Sequence, residues 1–226
     1  MTVHFRIVPR RARAVAGLEG DPAHALREHL LAVAEELLAE RQVSAITIRD
    51  LAGAADVSEG VLYNYFADKN ELLLTALVRR FTGIVERLHT NLPEPGTATV
   101  EANLGLFAEA LFDLHTEALP IFGKLLSEPA LLRRFMNDIH SPQQLFGGKQ
   151  IRDPLVEYLA AEQQLGRVAA VDVEAAADLV VGAVATLALT GLLGVVTPAA
   201  AGKRLLAIAA TLVDGLVPTT TRRRAR

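Results

Sequence analysis

The chain of 226 residues is predicted to fold as an all-α protein, on the basis of three observations. About half of its residues (51%) are hydrophobic but only 5% are aromatic, so the apolar content is mainly Ala, Leu and Val. Ala and Leu are strong helix formers. Apolar residues also recur at helical spacing, and N-cap residues precede several of these stretches. We therefore expect helices throughout and no strands.

The first helix is predicted to begin at Asp21-Pro22, an N-cap residue followed by a proline at the first helical position. An apolar stripe of helical period then follows, formed by Leu26, Leu30, Val33 and Leu37. We expect this helix to end near Arg41 and to support the two short helices that come next.

Residues 47–72 contain three successive helix starts, separated by short turns. Thr47, Ser58 and Asp68 each occupy a position where a side-chain oxygen can accept a free backbone N–H. The middle helix is predicted from about Ser58 to Phe66, which is too short to be stable alone. Two short helices joined by a tight turn are typical of a helix-turn-helix, whose second helix enters the major groove of DNA. We therefore predict a three-helix domain over residues 21–68.

An ordered set of residues within 47–72 makes this interpretation more specific. The most specific part is the cluster Tyr63-Asn64-Tyr65-Phe66, followed by Ala67-Asp68-Lys69. The other matching residues are Thr47, Asp50, Leu51, Ala52, Ala55, Val57, Ser58, Gly60, Leu62 and Leu72. In this segment the chain resembles the DNA-binding half of the TetR family of bacterial transcriptional regulators. Elsewhere it resembles that family in length and helical character.

The resemblance implies an all-helical homodimer, with an N-terminal DNA-binding domain and a larger C-terminal domain for ligand binding and dimerisation. Two C-terminal helices from each subunit would form a four-helix bundle, here at about 172–195 and 199–216. Two-fold symmetry then predicts a near-palindromic operator on double-stranded DNA, because each recognition helix reads one half-site.

The resemblance also implies which side chains meet DNA. It places Tyr63, Tyr65 and Lys69 on the DNA backbone, while Thr47 can offer its hydroxyl and nearby N–H groups to a phosphate. The outward edge of the recognition helix would consist of Ser58, Glu59, Gly60, Val61 and Asn64. Among these, Val61 could touch a thymine methyl, and Asn64 could address adenine or a phosphate. Leu62 and Phe66 are expected in the core, and core packing is the alternative for Tyr63.

Three residues depart from the family pattern. Glu59 stands where many members have a DNA-compatible residue, and a carboxylate near phosphates weakens binding unless it accepts from cytosine N4 or points away. Asp56 replaces the usual glycine of the turn, which we expect it to tolerate because Asp adopts positive φ better than most residues. Gln42 replaces the usual glycine after the first helix. These differences bear on the operator and the affinity.

The rest of the chain is predicted to be helical, forming a second domain over 69–217. One helix is expected from Lys69 to about Asn91, and 91–99 is the clearest loop. Further helices are predicted at about 100–118, 119–127, 129–139, 152–165, 172–195 and 199–216. A break is predicted over 141–149, and Gly166 is expected to cap one helix.

The effector site is expected among the C-terminal helices, in a mostly apolar cavity with a few polar anchors. Residues on predicted inward faces are the candidates: Phe107, Leu111, Phe112, His115, Phe122, Met136 and Tyr158. For any one of them, ordinary core packing is the alternative. His115 is the best polar candidate.

The segment 179–202 contains no charged residue and by length could cross a membrane. However, Thr186 and Thr190 interrupt it, and Thr197-Pro198 breaks it. A helix that is apolar all round is also expected when it is buried between its own domain and a partner subunit. We therefore favour a dimer interface over membrane insertion, and expect no membrane partner.

Positive charge is concentrated at the two ends of the chain, although the formal net charge of the whole chain is −3. Residues 1–20 carry four arginines against Glu19 alone, and the last five residues carry four arginines. The stretches 1–20 and 218–226 are therefore predicted to be basic tails, either simply solvated or in contact with DNA.

The sequence contains no nucleophile elbow, P-loop, dinucleotide fingerprint or metal-spaced histidine pair, so we expect no enzyme, cofactor or metal site. The absence of cysteine fits a reducing cytoplasm. The function indicated is a sequence-specific transcriptional regulator, expected to be a repressor that a small apolar effector releases from DNA. Two alternatives remain open: an interaction protein of the same fold without specific DNA binding, and a membrane-associated helical protein.

Overall fold

The protein is all-α, as composition and helical spacing predict. Its structure is a computed structural model that describes residues 21–90, 92–138 and 151–216, and within these ranges it contains nine α-helices, one 3₁₀ turn and no strand. The helices are α1 Pro22–Glu40, α2 Ile48–Ala54, α3 Glu59–Leu62, α4 Lys69–Thr90, α5 Val100–Leu126, α6 Pro129–Asp138, α7 Asp153–Gln164, α8 Val173–Leu192 and α9 Pro198–Leu216. The predicted basic stretches 1–20 and 218–226 and the predicted break 141–149 lie outside the described residues.

Contacts divide the chain into two compact units, the first ending at Ala76 and the second beginning at Leu77. The sequence suggested a boundary between residues 68 and 69. The difference arises because the first two turns of α4 belong to the first unit, where Leu72 and Leu73 are buried. Helix α4 therefore contributes residues to both units.

Helix α1 begins as predicted, since the Asp21 carboxylate accepts the Ala23 N–H at 3.1 Å and Pro22 occupies the first helical position. Its buried face differs slightly from the predicted stripe. Leu26 and Leu37 are only half-buried, and the face turned into the core is formed by Leu30, Leu31, Val33, Ala34 and Leu38.

The prediction of two helices over 100–118 and 119–127 is wrong, because α5 is continuous from Val100 to Leu126 with Pro120 inside it. Proline in a helix interior removes one backbone hydrogen bond and costs about 3 kcal/mol. The apolar side chains around it, Ala118, Ile121 and Leu125, are buried, and their burial offsets that cost.

Two glycines end helices in the second unit. Gly166 has φ +71° after α7, and its N–H donates to Gln163 O while the Arg167 N–H donates to Glu162 O. This bonding pattern is a Schellman motif, so the predicted cap at Gly166 is confirmed. Gly194 has φ +72°, and α8 accordingly ends at Leu192 rather than at the predicted 195.

In the second unit, α5 packs against α8 and α9, and the loop between α4 and α5 is held by a buried polar network. Glu162, fully buried on α7, accepts the Gly96 N–H at 3.0 Å through Oε1, and the Arg167 guanidinium lies 3.2 Å from its Oε2. Arg167 also donates to the Ala98 carbonyl at 2.6 Å. Burial raises the pKa of the neighbouring Tyr158 to about 12. The loop is thus fixed to α7 through charged hydrogen bonds.

Helix α8 is the element for which a membrane alternative was open. By length and composition alone it is apolar enough to cross a bilayer. Its inner face is buried within the second unit through Ala176, Ala177, Val180, Val184, Leu187 and Ala188. A helix that contributes a face to a protein core can be equally long and apolar, so the composition of α8 is weak support for membrane insertion.

The buried network predicts the effect of Glu162→Ala. Removing the carboxylate leaves the Gly96 N–H without an acceptor and Arg167 without its counter-ion. We expect the free energy of unfolding of the second unit to fall by about 2 kcal/mol, measured by denaturant titration. Glu157→Ala, at an exposed position of the same helix, is the matched control and should change it by less than about 0.5 kcal/mol. Equal effects of the two substitutions would show that the network contributes nothing.

Candidate functional site

Helix α2 starts with a complete capping box. The Thr47 hydroxyl accepts the Asp50 N–H at 3.1 Å, and the Asp50 carboxylate accepts the Thr47 N–H at 2.8 Å. Hydrogen bonds from the Thr47 side chain and backbone lower the pKa of Asp50. The start of α2 is thereby fixed within the chain, as the spacing of Thr47 and Asp50 predicts.

Helix α3 is shorter than predicted, with α-helical residues only from Glu59 to Leu62 instead of up to Phe66. The chain continues in tight turns, with the N–H groups of Tyr65 and Phe66 both donating to Leu62 O at 3.0 Å. Ser58 is the N-cap residue by position, but its side chain makes no capping hydrogen bond. Leu62 and Phe66 are buried as expected, so tertiary packing rather than helix length holds α3 in place.

The turn between α2 and α3 contains Asp56 at φ +53°, the left-handed conformation expected of it. The Val57 N–H donates to Ala52 O across this turn at 3.0 Å. His29 of α1 lies with its Nε2 3.3 Å from Ala55 O. The turn is therefore held both by its own backbone and from α1.

The edge of α3 opposite its buried residues faces solvent. Tyr63 is 55% exposed, and Ser58, Glu59, Gly60 and Asn64 are also exposed, with Val61 and Tyr65 half-buried. A Cβ added at Gly60 would meet only Ser58 Oγ, at 3.9 Å. The absence of a side chain at Gly60 thus leaves the surface open to a partner rather than relieving a clash within the protein. The residues predicted to form one edge are brought together on it.

Sequence reasoning missed one residue beside this edge, Arg49 of α2. Its side chain is 91% exposed, and its Nε lies 3.7 Å from Glu59 Oε1. An exposed pair of this kind contributes little to stability. It does place a positive charge next to the carboxylate of Glu59, one of the three residues that depart from the family pattern. The position of Arg49, two residues after the Thr47 cap, was the signal available in the sequence.

Lys69 has a structural role that the sequence did not predict. Its Nζ donates to Ile46 O at 2.8 Å and to Val43 O at 3.3 Å, so that the first residue of α4 is bonded to the turn before α2. Val43 and Ile46 are both buried. Two of the three ammonium protons are thus engaged within the protein, which leaves one for another acceptor.

Helix α4 is capped by Asp68, as predicted, since its carboxylate accepts the Glu71 N–H at 2.8 Å. Glu71 in turn accepts the N–H of Ala67, one residue earlier than in a capping box. The two bonds fix the chain between α3 and α4.

Comparison with known proteins agrees with this geometry. The family model described as "Bacterial regulatory proteins, tetR family" matches residues 30–76, which include α2, α3 and the start of α4. The HTH-type transcriptional regulator AlkX of Mycobacterium tuberculosis is 31% identical over 122 residues, which are 50% of this chain and 54% of that protein. Residues 30–76 of the chain match the TetR family.

Other relatives extend the comparison. The HTH-type transcriptional repressor KstR2 of Mycolicibacterium smegmatis is 29% identical over 96 residues, covering 41% of this chain and 46% of that protein. The chain thus spans about half the length of the curated relatives it matches. A transcriptional regulator of Saccharomonospora viridis, solved in complex with choline, aligns with a TM-score of 0.62 at 17% identity, over 86% of this chain and 99% of that one. At this identity the structural likeness shows the fold.

The departures from the TetR-family pattern have simple geometry. Asp56 adopts positive φ in place of the usual glycine. Gln42 precedes the 3₁₀ turn Val43–Ala45 in an extended conformation, with φ −72° and ψ 151°, which any residue can adopt. Neither substitution prevents the helix-turn-helix from forming.

The predicted effector residues are divided between two cavities. Phe107 and Tyr158 line a cleft of about 310 Å³ beside the α4–α5 loop, and their rings are 5.0 Å apart. His115 and Phe122 line a cavity of about 270 Å³ between α4, α5 and α8, named here the α5–α8 cavity. Leu111, Phe112 and Met136 line neither of these. Sequence reasoning missed Phe81, Arg152 and Asp178, which also line the α5–α8 cavity.

The bonds of Lys69 predict the effect of Lys69→Met, which keeps the apolar stem and removes the ammonium. Two buried carbonyls lose their charged donor, so we expect α2 and α3 to open more often. Amide hydrogen exchange in these helices should accelerate about tenfold. Arg49→Met, at a fully solvated position, is the control and should leave the exchange unchanged. Unaltered exchange in Lys69→Met would mean that Lys69 does not hold the helix-turn-helix.

Proposed function

We propose that the protein is a sequence-specific DNA-binding transcriptional regulator, a repressor that a small apolar effector releases from its operator. The observation that carries this proposal is the division of α3 into two faces. Leu62 and Phe66 anchor it in the core, while the opposite edge presents hydrogen-bonding groups and a bare backbone at Gly60 to solvent. A major groove admits a helix presented in this way.

Phosphate contacts would orient α3 on the duplex. Tyr63 and Tyr65 offer phenolic hydroxyls, and Lys69 retains one ammonium proton beyond its two carbonyl bonds. The Thr47 hydroxyl is already bonded to Asp50, so the contribution of this residue would come mainly from its place at the start of α2. Ser58, Glu59, Val61 and Asn64 would then face base edges.

The subunit would form a homodimer through the outer faces of α8 and α9. Between these helices lies an apolar groove of about 530 Å³, named here the α8–α9 groove, lined by Leu179, Ala183, Ile208 and Leu212 among others. Leu193 and Leu206 are also exposed, whereas Leu187 and Ala209 are buried within the subunit. A second copy of the same surface would cover this apolar area and present two recognition helices to a near-palindromic operator.

The effector would act through α4. Phe81 on α4 lines the α5–α8 cavity, and it lies about 18 Å along the helix from Lys69, which is bonded to the helix-turn-helix. A ligand in this cavity would therefore contact the same helix that begins in the DNA-binding unit. It would release DNA only if it binds the DNA-incompetent arrangement more tightly. The Saccharomonospora viridis neighbour, solved with choline, is a precedent for a small ligand in this fold.

A second candidate function is an interaction protein that keeps the fold without specific DNA binding. The exposed Glu59 carboxylate on the recognition edge favours it, because phosphates repel a carboxylate. The neighbouring Arg49 reduces that objection, so we retain the regulator as the proposal. A DNA-binding regulator would act in the cytoplasm.

Selection of bound duplexes from random DNA at physiological salt tests the regulator proposal. The purified chain should enrich one near-palindromic sequence. Tyr63→Ala should weaken binding about tenfold on every sequence alike, because a phosphate contact carries no sequence information. His89→Ala, exposed in the second unit, should bind as the parent does. Enrichment of no sequence, or only salt-sensitive non-specific binding, would instead favour the interaction protein.

Leu179→Glu tests the dimer interface. Leu179 lines the α8–α9 groove and is 67% exposed in the subunit, so a dimer formed there would bury an unpaired carboxylate. Sedimentation equilibrium should show a dimer for the parent chain and a monomer for this variant. Leu126→Glu, at a position 69% exposed at the end of α5, is the matched control and should remain dimeric. Dissociation by Leu126→Glu alone would locate the interface elsewhere.

A further inference from the structure

The α5–α8 cavity has three polar side chains among the described residues that line it: His115, Arg152 and Asp178. The rest of its lining is apolar, and Phe81 and Phe122 form part of the wall. The state of these three polar groups determines which chemical class of ligand the cavity can hold.

The hydrogen bond of His115 fixes which ring nitrogen carries the proton. Its Nδ1 lies 2.6 Å from the carbonyl oxygen of Leu111, which can only accept, so Nδ1 must be the donor. Burial lowers the pKa of His115, so the ring is neutral at pH 7. In a neutral ring with a proton on Nδ1, Nε2 is a bare acceptor, and this atom has no hydrogen-bond partner within the described residues. The cavity therefore offers an acceptor to a ligand O–H or N–H.

The two charged groups of the cavity form an ion pair with each other. Arg152 Nε lies 2.6 Å from Asp178 Oδ1 without hydrogen-bond geometry, and Arg152 Nη2 donates to Glu174 Oε2 at 3.1 Å. A ligand carboxylate would have to displace one of these partners, and a ligand ammonium would meet the guanidinium beside Asp178. Either charge would lose hydration without a free counter-ion, which is costly in a mainly apolar cavity.

The volume of the α5–α8 cavity and the aromatic side chains that line it restrict the ligand class further. The volume of about 270 Å³ lies just below the range of roughly 300–1,000 Å³ typical of sites for drug-sized ligands. Phe81, Phe122 and Phe135 pack edge-to-face, with the Phe81 and Phe122 centroids 5.9 Å apart and those of Phe122 and Phe135 5.7 Å apart. An aromatic ring placed against Phe81 and Phe122 could extend this arrangement.

We propose that the effector of the α5–α8 cavity is a small uncharged amphiphile, an aromatic body with one hydroxyl or N–H group that donates to His115 Nε2. That the ligand is an effector rests on the proposed function. The chemical class of the ligand rests on the cavity alone. The hydroxyl selects the ligand through His115, and the aromatic body meets α4 at Phe81. Sequence reasoning predicted a small apolar effector among the C-terminal helices; the inference adds a single hydrogen-bond donor on the ligand and excludes acids and amines.

Four matched probes test the ligand class by isothermal titration on the DNA-free protein: 4-propylphenol, 4-propylanisole, 4-propylbenzoate and 4-propylbenzylamine. The phenol has the donor, the anisole lacks it, and the last two carry opposite charges. We expect the phenol to bind about tenfold more tightly than the anisole, and both charged probes to bind more weakly than the phenol. The ¹⁵N resonance of His115 Nε2 should shift upfield with the phenol and not with the anisole.

His115→Phe keeps an aromatic ring but removes the acceptor, so it should abolish the preference for the phenol. His89→Phe, at an exposed site outside the cavity, is the matched control and should retain it. Equal binding of phenol and anisole, tighter binding of the acid or the amine, or no binding of any probe at millimolar concentration would each overturn the inference. Because these measurements contain no DNA, phenol binding without a selectable operator would contradict only the regulator proposal.

Discussion

The burial of Leu62 and Phe66 beneath α3 is the contact on which the candidate DNA-binding surface depends. Helix α3 has four residues, and a helix of that length has no stability of its own. Burying two such side chains contributes about 1.5–3 kcal/mol each, which is enough to hold a single turn in place. The exposed edge from Ser58 to Asn64 exists because the opposite side is anchored. The Asp50 capping box and the Lys69 carbonyl bonds then fix the segments before and after it.

Helix α4 contributes residues to both units. It begins at Lys69, bonded to the turn before α2, and continues to Thr90, with Phe81 lining the α5–α8 cavity. The following loop is held by Glu162 and Arg167. The start of α4 is therefore fixed by charged hydrogen bonds to backbone carbonyls, the loop after it is held at Gly96 and Ala98, and the middle of the helix contacts a cavity.

Short-range features of the structure could be predicted from sequence, and long-range ones could not. The caps at Asp21 and Thr47 follow from side chains within three residues of the atoms they bond, and the cap at Gly166 follows from the missing Cβ, which permits positive φ. The bonds of Lys69 join residues 23 and 26 positions away, so no local pattern reveals them. At Pro120 the sequence predicted a break between two helices, but tertiary packing keeps α5 continuous through it.

The candidate sites show the same division between local and long-range features. The edge of α3 was predictable because its residues are adjacent in sequence and helical spacing separates the exposed from the buried ones. The effector residues were chosen by periodicity alone, which predicts an inward face but not which cavity that face meets. Phe107 and His115 lie on one helix yet line different cavities, and Arg152 and Asp178 enter the α5–α8 cavity from other segments.

The measurement that tests the DNA-binding surface most directly is backbone NMR of the protein titrated with its selected duplex. If the edge of α3 reads the operator, the amide resonances of residues 58–65 and of Thr47 should shift most. Those of buried α5 residues such as Leu111 should shift least. Shifts concentrated on the α8–α9 groove, with α3 unperturbed, would contradict recognition through this surface.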